Sequence, residues 1–484
     1  MTITHTYSST AETSPGRVAI QTESEQITYQ DWDRLVSQTA NWLRSQPSMP
    51  NRVATLLPNS LAFLQLFAGA AAAGCTAIPI DTRWSPAECK ERLSISNADL
   101  VVTLAFFKNK LTDSQTPVVL LDNCMADISE AAADPLPTID PEHPFYMGFT
   151  SGSTGKPKAF TRSHRSWIES FTCTETDFSI SSNDTVLIPG TLMSSHFLYG
   201  AVSTLFLGGT VCLLKKFSPA KAKEWLCRES ISVLYTVPTM TDALTRIEGF
   251  PDSPVKIISS GADWPAESKE KLAAAWPHLK LYDFYGTSEL SFVTFSSPED
   301  SKRKPHSAGR PFHNVRIEIR NAEGERCQPG EVGKIFVNSP MRFSGYVNGS
   351  TPDEWMTVDD MGYVDEEGFL YISGRENGMI VYGGLNIFPE EIERVLLACP
   401  EVESAAVVGI PDEYWGEIAV AVIHGNANAR TLKALCKQKL ASYKIPKKWV
   451  FADSLPETSS GKIARSSVKK WLEESISINE CGYC

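Results

Sequence analysis

Apolar residues in the first third of the chain fall into short runs divided by turn-forming residues, and the length of each run sorts it into strand or helix. Residues 52–58, 75–80, 100–104 and 118–121 have the length and aliphatic content of buried strands. Residues 61–73 form a longer apolar run, interrupted by Gln65, that predicts a buried helix; it is shorter than the roughly 20 residues that span a bilayer. After a Pro-rich stretch at 134–144 and a polar one at 149–159 the alternation resumes. Helices are expected at 197–207 and 218–228, and strands at 210–214, 232–237, 256–260 and 279–284. Continuous apolar strands alternating with helices predict an α/β fold on parallel sheet covered on both faces. The last two strands run into Gly261-Ala262-Asp263 and Tyr285-Gly286-Thr287-Ser288-Glu289, read as loops at the carboxyl ends of parallel strands, where such folds bind ligands.

The pattern changes at Val315. Short strands separated by residues 321–324, Pro329-Gly330 and residues 365–368 predict a mainly antiparallel, β-barrel-like section ending near Arg375. Beyond Asn377-Gly378 come a strand at 379–382, Gly383-Gly384, a helix at 389–397, strands at 405–409 and 418–424, a helix ending at 440 and a basic stretch at 444–448. These make a small, separate α+β domain, so the expected division is 1–376 and 377–484. The sequence shows no internal repeat, coiled-coil heptad or low-complexity segment.

Composition narrows the function classes. The 484 residues, 42% hydrophobic and 21% charged, suit a large core and more than one domain. With 45 Lys+Arg against 57 Asp+Glu the net charge is -12, which disfavours nucleic acid or an anionic membrane as partner and makes any anion site a local one. Eleven irregularly spaced cysteines, and a first stretch (1–17) with neither a basic start nor an apolar core, lead to the expectation of a reduced, cytoplasmic protein. Cys481 and Cys484 have metal-like spacing but neither a second pair nor an adjacent histidine, and read as a tail.

Residues 149–159 carry the most chemistry. Thr150, Ser151, Ser153 and Thr154 supply hydroxyls, Gly152 and Gly155 a backbone free to turn its N–H groups outward, and Lys156 and Lys158 charge. That is the composition of a polyphosphate cradle. It is not a Walker A loop, because Thr150 stands where the first glycine belongs and Pro157 follows Lys156. Taken alone it is equally a Ser/Gly-rich surface turn.

Order along the chain decides between these readings. The stretch at 150–158, Tyr285-Gly286-Thr287-Ser288-Glu289, Asp359-Asp360, Gly374-Arg375 and Ser460-Gly461-Lys462 occur in one sequence. Singly, a tyrosine before glycine is an ordinary core residue, a carboxylate pair an ordinary solvated turn, and an arginine an ordinary surface ion pair. Together, from Val53 through Lys462, they resemble the acyl-adenylate-forming superfamily: acyl-CoA synthetases, peptide-synthetase adenylation domains and luciferase-like enzymes. In that family a carboxylate attacks the α-phosphate of ATP, pyrophosphate leaves, and a thiol attacks the acyl-adenylate.

The resemblance implies ATP, Mg2+ and CoA as cofactors and co-substrates. It implies that Thr150, Ser151, Gly152, Ser153, Thr154, Gly155 and Lys158 hold the β- and γ-phosphates and that Glu289 ligates magnesium. Tyr285, with Gly261 and Ala262, would form the adenine side, Asp283 and Gly286 would belong to the ATP/AMP site, and Thr287 would bond the α-phosphate. Asp360 would accept from the ribose hydroxyls, and Arg375 would lie near ribose and phosphate. Lys462 would bridge the substrate carboxylate and the α-phosphate. The family's small domain rotates between half-reactions about a hinge that is here Asn377, where most relatives have Asp or Lys, and Gly383 and Gly384 would line the thiol side. Ala159 stands where relatives commonly have glycine.

The acyl substrate is read from residues 193–200, where amino-acid-activating relatives place an aspartate for the ammonium. Here there is none, and an unpaired ammonium costs on the order of several kcal/mol, so an α-amino acid is disfavoured. His196 resembles the gate of acyl-CoA synthetases, or is a packed residue at a helix start. Phe197, Leu198 and Trp264 point to a fatty or aromatic acid. The insertion of acyl-AMP ligases is lacking, which favours free CoA; a phosphopantetheine carrier protein is the alternative thiol. A non-catalytic nucleotide-binding relative is the third reading, against which Glu289, Asp360 and Lys462 argue.

Overall fold

In the computed structural model the Leu61–Ala73 helix has the limits its sequence predicts, because both ends carry their own stops. The Ser60 side chain accepts from the Phe63 N–H, and Gly74 takes the left-handed conformation (φ 82°) that favours glycine. Gln65 is buried but satisfied, donating to Thr39 Oγ1 at 3.0 Å. Gly69 admits the neighbouring Tyr29–Arg44 helix: a Cβ there would stand 2.4 Å from Thr39 Cγ2. The structure describes residues 1–112, 114–151, 157–247, 249–260, 266–347, 349, 351–382, 385–412, 415–440, 442–458 and 462–480.

The chain gathers into two compact units, Met1–Ile317 with Val337–Met356, and Glu318–Phe336 with Thr357–Cys484. In the first, a seven-stranded sheet runs Gly345–Tyr346, Pro157–Ser163, Pro144–Ser151, Thr76–Pro79, Arg52–Leu56, Leu100–Thr103, Val118–Leu120. It is parallel from Pro144–Ser151 to Val118–Leu120 and antiparallel at the other edge. A nine-stranded sheet is parallel from Val18–Gln21 through Thr210–Leu213, Thr185–Ile188, Val233–Thr236 and Val255–Ser259 to Leu279–Thr287. Antiparallel strands Gln26–Thr28 and Ser291–Ser296, the latter followed by Arg310–Pro311, flank it.

Two expected loops are corrected. Residues 149–151 and 157–159 belong to the hairpin strands Pro144–Ser151 and Pro157–Ser163, since Phe149, Thr150 and Ser151 pair with Ala159, Lys158 and Pro157. Tyr285, Gly286 and Thr287 extend the Leu279–Thr287 strand, because Ser291–Ser296 folds back and gives their backbone groups antiparallel partners.

In the second unit the mainly antiparallel section takes the form of a four-stranded sheet with order Arg316–Arg320, Gly333–Asn338, Asp360–Val364, Leu370–Arg375; its first two strands begin and end, respectively, at the division between units. A second sheet pairs Val402–Asp412 with Gly416–Gly425, which also takes Ile380–Tyr382 and, in parallel, Lys448–Phe451. The long strands are buried along Ala405–Val408 and Val420–Ile423. Ile392, Leu396, Leu432, Cys436, Val468 and Leu472, from helices Pro389–Leu397, Ala429–Lys439 and Arg465–Glu480, complete this core. Among the described residues no helix is long and apolar enough to cross a membrane.

Candidate active site

Two strands and a turn of the first unit bring Lys158 and Glu289 to one tyrosine. Lys158 lies on the outer hairpin strand, opposite Thr150, and its side chain is exposed. Gly345–Tyr346 pairs antiparallel with that strand, Tyr346 opposite Phe160. The Tyr346 hydroxyl donates to Glu289 Oε1 at 2.6 Å, and Lys158 Nζ stands 5.2 Å from the centre of the same ring. Glu289 itself is half-buried on the turn between Leu279–Thr287 and Ser291–Ser296.

That turn is tightly made. Thr287 Oγ1 accepts from the Leu290 N–H at 3.1 Å, and Ser291 closes the turn with φ 62°. Gly286 sits at a bulge where a Cβ would lie 2.0 Å from the Ser291 carbonyl oxygen, so a side chain does not fit. The described non-glycine residues with positive φ are Asn97, Ser179, Ser291 and Asp359. Asp359 directly precedes Asp360, and Ser291 lies opposite Thr287 in the ladder.

Arg162, on the hairpin strand, is 2% exposed. It donates to the carbonyls of Ser288 (3.1 Å), Glu289 (3.5 Å) and Met341 (2.6 Å), and its Nε is buried without a partner. Burial pushes its pKa down to about 10, which leaves it charged at neutral pH. Neither Arg162 nor Tyr346 stands out by motif. Nor does strand parity mark Arg162, since exposed Lys158 shares its side of the strand and Ala159 and Ser163 on the other side are buried too.

In the second unit Asp360 and Arg375 are register partners on adjacent strands, and Arg375 Nε donates to Asp360 Oδ1 at 3.0 Å. The Asp360 side chain is 7% exposed and that of Arg375 65%, so a buried carboxylate fixes the base of an outward-facing guanidinium. Asp359 (φ 62°) bends the chain just before, and its carbonyl accepts from the Glu376 N–H. Lys462 lies on a turn in which the Thr458 N–H donates to its carbonyl at 2.7 Å and its own N–H donates to Thr458 Oγ1 at 3.2 Å. The residue's surface is exposed, yet desolvation of the ammonium, and second the positive charge of Arg375, push its pKa below the usual lysine value. Asn377 lies in the right-handed 3-10 turn Glu376–Gly378, which does not use the left-handed conformation that Asn and Gly tolerate.

His196 opens the Ser195–Leu207 helix among the rings of Phe197, Tyr235 and Phe284. Its Nε2 stands 2.8 Å from the Thr236 carbonyl oxygen, so Nε2 carries the hydrogen and Nδ1 is left buried with a free lone pair. Burial pushes its pKa down to about 4; it is neutral at ordinary pH. Phe197 and Leu198 are buried beside it. Asp283 pairs with Lys269 at 2.9 Å, and Tyr285 lies opposite Thr294 in the ladder. Gly152, Ser153, Thr154, Gly155, Gly261, Ala262, Trp264, Gly383, Gly384, Cys481 and Cys484 lie outside the described residues, as does the side chain of Ser151.

Other groupings lack this chemistry. Cys173, Asp177 and His313 come together, but His313 Nδ1 bonds Asp177 at 2.9 Å and the Cys173 thiol bonds Asn314 Oδ1 at 3.2 Å, so each group is already satisfied. Two surface hollows, one beside Met49 and Pro117 and one beside Glu12 and Arg34, hold none of the predicted site residues.

Residues 7–347 match the family described as AMP-binding enzyme, and residues 391–462 the one described as AMP-binding enzyme C-terminal domain. Over 476 residues the chain is 97% identical to the uncharacterized acyl-CoA ligase YhfT of Bacillus subtilis (strain 168), covering 98% of this chain and 99% of that one. It is 29% identical to the long-chain-fatty-acid–CoA ligase FadD13 of Mycobacterium tuberculosis (strain ATCC 25618 / H37Rv), over 93% of this chain and 94% of that one. Among solved structures it is similar to o-succinylbenzoate CoA synthetase (MenE) from Bacillus subtilis in complex with the acyl-adenylate intermediate OSB-AMP, with TM-score 0.88 and 28% identity over 96% of this chain and 97% of that one. The same enzyme in complex with ATP and magnesium ion gives TM-score 0.87. The chain belongs to the AMP-binding enzyme family, in its adenylate-forming acyl-CoA ligase branch.

Proposed function

We propose that the chain activates a carboxylic acid with ATP to an acyl-adenylate, releasing pyrophosphate, and then transfers the acyl group to CoA, releasing AMP. The observation that carries this reading is the cluster of Lys158, Tyr346 and Glu289: an exposed ammonium and a carboxylate brought to the same tyrosine. The donor set fits magnesium, since Glu289 offers a hard oxygen ligand and Tyr346 occupies only Oε1. Bound there, magnesium would offset charge on the departing pyrophosphate.

The other roles follow from chemistry and family resemblance. Thr150 and Lys158, with Ser151, Gly152, Ser153, Thr154 and Gly155, hold the β- and γ-phosphates, and Thr287 bonds the α-phosphate. Tyr285, with Gly261 and Ala262, forms the adenine side, and Asp283 and Gly286 belong to the ATP/AMP site. Asp360 accepts from the ribose hydroxyls while holding Arg375, whose remaining donors meet oxygens of the nucleotide. Lys462, as a cation, draws the carboxylate and the α-phosphate together and stabilises charge as the new C–O–P linkage forms. In the second half-reaction the CoA sulfur attacks the acyl carbon and AMP leaves, with Gly383 and Gly384 on the thiol side.

We assign Asn377 as the hinge between functional domains 1–376 and 377–484, and His196, neutral and ring-packed, as a gate at the acyl side rather than a proton carrier. The acyl group is fatty or aromatic. Free CoA, not a carrier-protein thiol, is the acceptor, as the relatives' names as CoA ligases support. The described cysteines are free thiols, which supports a cytoplasmic setting. ATP–pyrophosphate exchange across a panel of carboxylic acids tests the reading. Exchange should require both an acid and Mg2+, and acid-dependent formation of ADP would contradict it.

A further inference from the structure

We propose that Tyr346 and Arg162 are positioning residues for the Glu289 carboxylate, so that magnesium affinity depends on two side chains that do not themselves ligate the ion. This rests on the reading of Glu289 as the magnesium ligand. Glu289 sits on a turn between two strands, and its carboxylate ends a flexible side chain. Left to itself it would sample several rotamers. The Tyr346 hydroxyl fixes Oε1 at 2.6 Å, and Oε2 has no partner among the described residues, so one oxygen is anchored and the other is left to a ligand.

The main chain is held from the same side. Arg162 donates to the carbonyls of Ser288 and Glu289 and, at 2.6 Å, of Met341; the Phe343 N–H donates to the Glu289 carbonyl at 2.8 Å. The turn with Glu289 and the segment leading to Tyr346 are thus bound to one guanidinium, on the strand with which Tyr346 pairs. A buried arginine in a core ordinarily meets a carboxylate. Here its direct hydrogen bonds, among the described residues, all go to main-chain carbonyls of the site, and hydrogen-bonding partners of this kind around a metal-ligating carboxylate commonly change metal affinity about ten- to a hundredfold when removed.

The test is the factor by which Mg2+ tightens ATP binding, measured by calorimetry with Mg2+ and with EDTA, no carboxylic acid being present. Tyr346→Phe keeps the ring that Lys158 and Phe343 contact and removes only the hydroxyl. It should lower that factor about tenfold while leaving metal-free ATP affinity unchanged. Arg162→Lys, which keeps the charge but not the fork of donors, should act in the same direction. Glu289→Gln marks the full loss. If Glu289→Gln lowers the factor and Tyr346→Phe does not, the positioning role is overturned while the metal assignment stands. If Glu289→Gln leaves the factor unchanged, the assignment beneath it falls. A loss in Tyr346→Phe equal with and without metal would mean a merely structural role, and also overturns it.

Discussion

Asp360 and Arg375 face each other across adjacent antiparallel strands, joined by a 3.0 Å bond from the guanidinium Nε to a carboxylate that is nearly buried. The buried partner fixes the exposed one, so the direction in which Arg375 presents its remaining donors is set by Asp360. Asp360→Asn keeps the size of the side chain and removes the charge. A hydrogen bond to a charged group contributes about 1.5–3 kcal/mol, so KM for ATP should rise about ten- to a hundredfold. Steady-state kinetics with ATP varied checks this, and an unchanged KM would separate the pair from the nucleotide.

Lys158 and Lys462 are both cations but are assigned to different ends of the reaction. Lys158→Ala should raise KM for ATP about tenfold and leave thioester formation from supplied acyl-adenylate intact. Lys462→Ala should slow acyl-adenylate formation roughly a hundredfold or more, again sparing the second half-reaction. Rapid-quench assays of the separate half-reactions measure both, and equal losses in the two steps would contradict the assignments.

The pH dependence of Lys462 follows from its lowered pKa. In the proposed role the protonated form bridges two anions, so activity should be lost as pH rises through the lysine pKa. Because that pKa lies below the ordinary 10.5, the alkaline fall in kcat/KM for adenylation should begin earlier than for a free lysine. Lys462→Ala, whose residual rate no longer depends on this proton, should lack that limb.

Buried His164 gives a stability prediction. Its Nδ1 accepts from the Ile3 N–H at 3.2 Å and its ring stacks on Phe145, and burial, with His143 second, pushes its pKa down to about 3. The unfolded chain takes up a proton near pH 6.5 while the folded chain does not until about pH 3. Stability is therefore present above pH 6.5 and is lost as pH falls through this window, by up to about 1.4 kcal/mol per pH unit. His164→Phe should melt with a smaller drop between pH 7 and pH 5 than the wild type, as differential scanning calorimetry would show.

Gly286→Ala tests the bulge beside the Glu289 turn. Its methyl group would meet the Ser291 carbonyl, so the turn must shift or the strands part, at about 1–3 kcal/mol of stability. Chemical denaturation would read the loss, and adenylation should fall with it because Thr287 and Glu289 follow directly in the chain.

How much of this the sequence discloses depends on where each signal resides. The Leu61–Ala73 helix is legible because Ser60 and Gly74 mark its ends locally. Tyr285 to Thr287 read as a loop because their polar character hides a strand made by its partner, Ser291–Ser296. Lys158, Glu289, Asp360, Arg375 and Lys462 emerge from the order of short motifs, although no one motif is decisive. Tyr346 gives no such sign: its contact with Glu289 spans 57 residues of chain and exists only once Gly345–Tyr346 joins the hairpin. Arg162 gives no local sign either, because its strand is buried on both faces and its partners lie far along the chain.

In the proposed reaction the carboxylate attacks the α-phosphate of ATP. Activation of a substrate acid labelled with 18O in its carboxyl group, followed by transfer to CoA and mass analysis of the nucleotide, follows that oxygen. One labelled oxygen should appear in the phosphate of AMP, with unlabelled pyrophosphate. Label in orthophosphate together with ADP would mean attack at the γ-phosphate and would rule out adenylation.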